Sequence, residues 1–213
     1  MALDRRRVRN RPGVTFGKLL GTGSGRTFGV ADADPYHWGI LAVWDADQAA
    51  AAFERSRVVR GWDARSDERL RVLLRPLTSR GRWSGREPFG RPEASPTNGP
   101  VAALTRARIR PRLARDFWRA VPPVSAELHS SAGLLLALGV GEAPVGLQGT
   151  FSIWRSGDDL AEFAYRRPEH TEVVRRTRET GWYAEELFAR FAVLDAVGTL
   201  HGRPVDLPAK EAR

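Results

Sequence analysis

The side chains with the greatest capacity for chemistry are four histidines, His37, His129, His170 and His201, in a chain of 213 residues with no cysteine and a single methionine, Met1. The lack of cysteine removes disulfides and thiolate metal sites. His170 follows Tyr165, Arg166, Arg167 and Pro168. A helix running from Pro168 would place His170, Val173 and Val174 on one face, at the i, i+3, i+4 spacing. An imidazole beside such a face is either a satisfied core group or a functional one, and the residues alone leave both open. His37 abuts an apolar run and can cap it. His129 is expected near a helix end, where a cation favours the dipole. His201 falls in a glycine-flanked turn and is expected to be exposed. The spacing of the four matches no His/carboxylate metal box, and no partners for a non-haem iron triad are evident.

Other motifs exclude more than they assign. Gly21, Gly23 and Gly25 follow a predicted strand and could hold an anion on backbone N–H groups, but no Lys-Ser/Thr follows, so this is not a P-loop. The dinucleotide-binding glycine spacing and the Gly-x-Ser-x-Gly elbow are absent. The formal net charge of +9 is almost wholly arginine, lysine occurring only at Lys18 and Lys210. Those cations are spread along the chain rather than gathered in a stripe, which argues against a nucleic-acid partner. No apolar run reaches the roughly 20 residues that span a bilayer. The basic start, Asp4 to Arg7, has no apolar segment behind it, so a cytoplasmic protein is expected.

The elements that must position these residues are legible as a repeat. Gly39-Ile40-Leu41-Ala42-Val43-Trp44 runs into Ala49 to Phe53, and Gly149-Thr150-Phe151-Ser152-Ile153-Trp154 runs into Leu160 to Phe163. The Trp-to-Phe spacing is the same in both. Upstream stand Leu20-Gly21-Thr22-Gly23 and Leu138-Gly139-Val140-Gly141; downstream stand the basic tails Gly81 to Arg86 and Gly198 to Arg203. Two such copies predict a duplicated unit with an internal pseudo-twofold axis.

In the first copy, strands are predicted at 14–20, 38–44 (apolar on both faces) and 69–77 (an edge), with a helix from Ala49 towards Val59 capped by Asp45 or Asp47. In the second, strands are predicted at 101–109, 134–140, 149–154 and 191–197. Helices are predicted after Pro111, over 158–174 and over 182–188. This order predicts an α+β fold of tandem ferredoxin-like units forming a pseudo-dimer of the dimeric α+β-barrel type, the first unit having a shortened first helix after the 14–20 strand. The expected divisions are a basic arm (1–13), a first repeat (14–86), a proline-rich linker (87–100), a second repeat (101–205) and a tail (206–213). Laid over itself, the repeat isolates one asymmetry: Tyr165 to His170 has no counterpart in the first copy.

Three blocks of the second copy, Gly149 to Arg155, Phe163 to His170, and Gly181-Trp182-Tyr183-Ala184-Glu185-Glu186-Leu187-Phe188-Ala189-Arg190-Phe191, resemble the spheroidene monooxygenase family. Gly23-Ser24-Gly25-Arg26-Thr27-Phe28-Gly29 is also in character. The resemblance implies a haem-associated monooxygenase with an apolar, carotenoid-like or secondary-metabolite substrate. It implies His170 as the proximal ligand to the iron of haem b, a role open to neutral imidazole. Tyr165 would be a ligand or a hydrogen-bonding group, and Arg166, Arg167, Arg175 and Arg26 would be the candidates for the haem propionates. Phe151 and Trp154 would be an apolar wall inside the barrel, and Arg26 with Thr27 would lie on the distal side. An external electron donor would be required if O2 is the oxidant, whereas peroxide would remove that need. The protein would act as a monomeric pseudo-dimer or a homodimer. Two other readings stay open: a cofactor-free oxygenase or isomerase of the same fold, and a non-enzymatic haem or ligand carrier.

Overall fold

Period-two alternation decides most of the chain. In Val101–Ile109, Ala102, Leu104 and Arg106 are buried on one face, while Val101 and Ala103 pack on the other. A strand apolar on both faces needs a layer on each side, and the computed structural model, which describes residues 4–23, 32–93, 97–142, 149–166 and 168–208, supplies both. Its strands are β1 (Val14–Gly23), β2 (Ala33–Trp44), β3 (Leu70–Gly81), β4 (Val101–Ile109), β5 (Leu134–Gly141), β6 (Gly149–Trp154), β7 (Tyr183–Leu200) and β8 (Arg203–Pro204). Its α-helices are α1 (Asp4–Arg9), α2 (Asp47–Glu54), α3 (Arg57–Asp63), α4 (Ala114–His129), α5 (Gly157–Arg166) and α6 (Pro168–Thr180).

The strands form one antiparallel sheet in the order β2-β1-β5-β6-β4-β7-β3, with β8 paired to β7. The second copy (β4, α4, β5, β6, α5/α6, β7) has the ferredoxin-like strand order, its fourth strand beside its first and its third beside its second. The copies meet at two places, β1 with β5 and β3 with β7, and both registers are self-symmetric under the repeat: Gly21 pairs Gly141 as Gly23 pairs Gly139, and Leu70 pairs Gly198 as Gly81 pairs Leu187. Leu41 and Val43 of β2 and Val72 and Leu74 of β3 pack on the same apolar cluster, so the sheet curls until its two end strands share a core. Trp83 and Phe89, from the segment after β3, fill that concave interior.

One strand of an eight-stranded barrel is missing among the described residues. The slot that β4 fills between β6 and β7 has its repeat equivalent between β2 and β3, which stand as free edges. This revises the expected parse of the first copy. The 14–20 strand is the second strand of its unit, not the first, because it pairs directly with β2; the shortened helix is α1, ahead of it, with Val8 buried against Gly17. Pro76 sits in β3, where an end strand tolerates it.

Two other expectations change. The predicted 158–174 helix is two helices, because Pro168 cannot extend a helix from within but suits a first turn. The predicted 182–188 helix is the start of β7, where Glu185, Leu187, Ala189, Phe191 and Val193 alternate towards the interior. Hydrogen bonding to β3 and β4 on its two sides overrides the helix propensity of Ala184-Glu185-Glu186-Leu187. The cap of α2 also differs: Ala46 is the N-cap, with Asp47 in the first turn.

Candidate functional site

The repeated glycine-rich tails build two matching turns. Ser84 and Gly85 (φ 54° and 72°) join Trp83 to Arg86, and His201 and Gly202 (φ 53° and 72°) join Leu200 to Arg203. Two consecutive left-handed residues make a hairpin turn of the primed type. Ahead of each lies a glycine that nothing larger can replace: a Cβ on Gly81 would meet the Glu186 carbonyl at 2.2 Å, and one on Gly198 the Arg69 carbonyl at 1.8 Å. Each turn aims its two central N–H groups at a glutamate from the other copy. Ser84 and Gly85 donate to Glu185 at 3.0 and 2.8 Å; His201 and Gly202 donate to Glu68 at 2.8 and 2.9 Å. The offset that relates Ser84 to His201 also relates Glu68 to Glu185, so the clasps are reciprocal across the pseudo-twofold axis.

The interior clasp is a buried ion network. Arg106 of β4, its side chain 7% exposed, bridges Glu185 and Glu142, donating to the latter at 3.0 Å. Lys18 of β1 pairs with Glu142 and donates to Ser84 at 2.7 Å, and the Trp83 indole N–H donates to Glu142 at 2.8 Å. Burial pushes the Glu142 carboxyl up, but the Lys18 and Trp83 hydrogen bonds and the Lys18 and Arg106 charges outweigh it and hold the group below the ordinary glutamate value. Burial of Glu185 is likewise outweighed, by the Gly85 and Ser84 N–H groups and Arg106. Neither carboxyl is therefore a proton donor near neutral pH. The network is suited to fixing charge and geometry, not to general acid chemistry. Arg106 Nε is buried without a hydrogen-bond partner. A cavity of about 30 Å³ beside Lys18 and Glu142 has room for water but not for a macrocycle.

The second clasp is on the open seam and is half-buried. His37 of β2 binds Asp34 through Nδ1 at 2.7 Å and Glu68, just ahead of β3, through Nε2 at 2.8 Å. This contact ties the two free edges together. Thr199 also donates to Glu68, at 3.0 Å, and the His201 ring lies edge-on to His37 with centroids 4.5 Å apart. The Glu68 hydrogen bond chiefly raises the His37 pKa, Asp34 adding to it against the opposing effect of burial. Glu68 is lowered to about 2, first by the Gly202 N–H and then by His37. His37 was expected only to cap a strand and His201 only to be exposed. The sequence signal for their meeting is the repeat itself, because the turn that seats Glu185 predicts the one that seats Glu68.

Of the residues proposed from the family resemblance, the described side chains Phe151, Trp154, Tyr165 and Arg166 do not line one pocket. Phe151 faces the concave interior. Trp154, three residues on, points to the opposite face, because side chains alternate along a strand; it is fully buried between the sheet and α5, stacked on Phe163 at 5.2 Å. Trp154 is therefore not an interior wall, and neither is its repeat partner Trp44, which packs on Phe53 of α2 at 5.1 Å. The conserved spacing noted in the repeat is this helix-on-sheet contact. Tyr165 is 67% exposed and accepts a hydrogen bond from Arg190 at 2.9 Å. Arg166 pairs with Glu162 at the surface. His170 lies in the first turn of α6, a helix packed against α4 and α5. The His170 side chain, Arg167, Arg26 and Thr27 lie outside the described residues.

A curled antiparallel sheet of two ferredoxin-like copies, with helices on its convex face, defines an α+β protein of the dimeric α+β-barrel class. The chain is 38% identical over 207 residues to the spheroidene monooxygenase of Rhodobacter capsulatus, covering 95% of this chain and 85% of that protein. It is 38% identical to that of Rubrivivax gelatinosus, covering 90% and 73%, and 35% identical to that of Cereibacter sphaeroides, covering 90% and 60%. The chain belongs to the spheroidene monooxygenase family and is a monooxygenase. No family model matches it. Among solved structures it is similar to a candidate monooxygenase from Fusobacterium nucleatum (TM-score 0.44, 12% identity, covering 87% of this chain and 78% of that one). It is also similar to an anthrone oxidase-like protein (TM-score 0.35, 12% identity, covering 95% and 88%).

Proposed function

We propose that the protein is a haem-dependent monooxygenase of an elongated apolar substrate, a carotenoid or a molecule of that character. The observation that carries this is the family relationship, which extends over nearly the whole chain. The cofactor assignment rests on His170, an imidazole on α6 that the first copy of the repeat does not match. Haem supplies the oxidising chemistry when bound, and the chain's own contribution is shape and dryness. The interior face carries Phe16, Leu20, Leu104, Phe151, Ile153 and Phe191 as an apolar core closed by Trp83 and Phe89, which keeps water from the centre of the fold. A hydrocarbon would be seated beside that core rather than within it. The ion network at one end of that core is fixed in charge and can orient a polar end group of the substrate. Among the described residues no helix is long and apolar enough to cross a membrane.

The test is spectroscopic. Full-length protein titrated with haemin is expected to give one Soret-absorbing complex per chain, with His170→Ala losing that spectrum. Unchanged occupancy and spectrum in His170→Ala would remove the ligand assignment. Oxygen-dependent turnover of a carotenoid by chelator-treated, haem-free protein would instead establish the cofactor-free reading.

A further inference from the structure

We propose that Asp34, His37 and His201 bind a divalent transition-metal ion at the open seam of the barrel, with Glu68 orienting the His37 ring. The donor atoms of the three residues lie within 4.8 Å of one another, so that a small movement of the exposed His201 ring would let them share one ion. Two imidazoles and a carboxylate suit Zn2+, Co2+ or Fe2+ rather than Mg2+ or Ca2+, which prefer all-oxygen shells. His37 already has the orientation that a ligand histidine takes. Its Nδ1 faces Asp34 at 2.7 Å, and its Nε2 is held by Glu68 at 2.8 Å, the carboxylate–histidine arrangement that fixes tautomer and ring plane. Glu68 is itself anchored by Thr199 and by the His201 and Gly202 N–H groups. Asp34 is pinned through its other oxygen, which accepts from the Tyr36 and His37 N–H groups and leaves Oδ2 towards the ring.

The repeat provides an independent argument. In the interior clasp two carboxylates, Glu142 and Glu185, are bridged by Arg106, a permanent cation carried on β4. In the seam clasp Glu68 is the repeat counterpart of Glu185, and Asp34, which has no such counterpart, stands as the second carboxylate; among the described residues the first copy contributes no equivalent of β4. Among the described residues the bridge there is the His37 ring, which can carry a proton on Nδ1 towards Asp34. A divalent ion would replace that proton: Nδ1 gives its lone pair to the metal, the proton leaves to solvent, Nε2–H stays on Glu68, and His201 swings its exposed ring onto the ion. The half-buried site leaves remaining coordination positions to water.

The experiment uses the full chain, treated with EDTA, dialysed and titrated with Zn2+ or Co2+ by calorimetry and by cobalt absorption. One ion per chain is expected. His201→Gly, which suits the left-handed φ of 53° at that turn, and Asp34→Asn should each weaken binding at least about tenfold, and Glu68→Gln about tenfold. Circular dichroism would verify that each variant is folded. Failure of the wild-type chain to bind at micromolar metal, or unaltered binding in folded His201→Gly, would overturn the site. The inference does not depend on haem: His170→Ala should take up Zn2+ like the wild type, and loss of Zn2+ binding there would overturn the proposed ligand set.

Discussion

The two reciprocal clasps start from one design and end as different devices. Both hold a glutamate in a primed hairpin turn supplied by the opposite copy, and both place a second carboxylate nearby. In the interior clasp the bridge is a guanidinium 7% exposed, backed by Lys18 and Trp83. In the seam clasp it is an imidazole 28% exposed, with a second imidazole beside it. What separates them is one strand. β4 carries Arg106 into the barrel and closes the wall of the second copy; among the described residues no strand fills the equivalent slot in the first copy, and the clasp there is half-exposed and bridged by a titratable group. The same duplicated turn therefore serves a buried ion network in one copy and a half-exposed cluster of donor atoms in the other.

The largest effect that would break the comparison is expected at Arg106. Arg106→Ala leaves Glu142 and Glu185 sheltered without their shared cation, and removal of one partner from such a network costs about 3–5 kcal/mol. His37→Ala, at the half-exposed seam, is expected to cost no more than about 1 kcal/mol. Urea unfolding of both variants measures the difference; equal losses would mean that the clasps are not differentiated. Next in size are the paired glycines. Gly81→Ala and Gly198→Ala each drive a Cβ into a backbone carbonyl at positive φ, and each should lose about 2 kcal/mol in the same assay. A loss at one and not the other would break the pseudo-symmetry that relates them.

The smallest effect concerns pH and sharpens the contrast. Glu142 and Glu185 have lowered folded pKa values, so their contribution is complete above the ordinary glutamate value and is lost as pH falls through the folded one. His37 has a raised folded pKa under the influence of Glu68 and Asp34, with His201 the other titratable group against it. Its contribution is complete below the ordinary histidine value of 6.5 and is lost as pH rises through the folded one. In metal-free protein, thermal stability should thus decline slightly on the alkaline side in wild type, by less than about 1 kcal/mol, and this decline should vanish in His37→Gln. An alkaline decline that persists in that variant would place its origin elsewhere.

Local alternation and punctuation made much of the fold legible. The β4 and β6 spans match their apolar runs residue for residue, and the repeated Trp-to-Phe spacing anticipated a helix packed on a strand in both copies. Residues 182–188 carry a helix-forming composition on a period-two strand, and only pairing to β3 and β4 distinguishes the two. Phe151 and Trp154 were grouped as one wall because both are aromatic; the pleat sends them to opposite faces.

For the candidate sites the division is sharper. From the sequence come the duplication, the absence of thiol chemistry, the glycines that the turns require and the singular position of His170, because each is a property of residue type and short-range spacing. The sequence could not bring His37 to His201, or Lys18 to Glu142, across most of the chain. Those meetings follow from the curl of the sheet and from the two symmetric strand pairings, which are long-range contacts set by burial of a shared core. Tertiary structure alone decided which carboxylate pair is enclosed and which is left at an open edge, because that depends on which slot in the barrel a strand occupies.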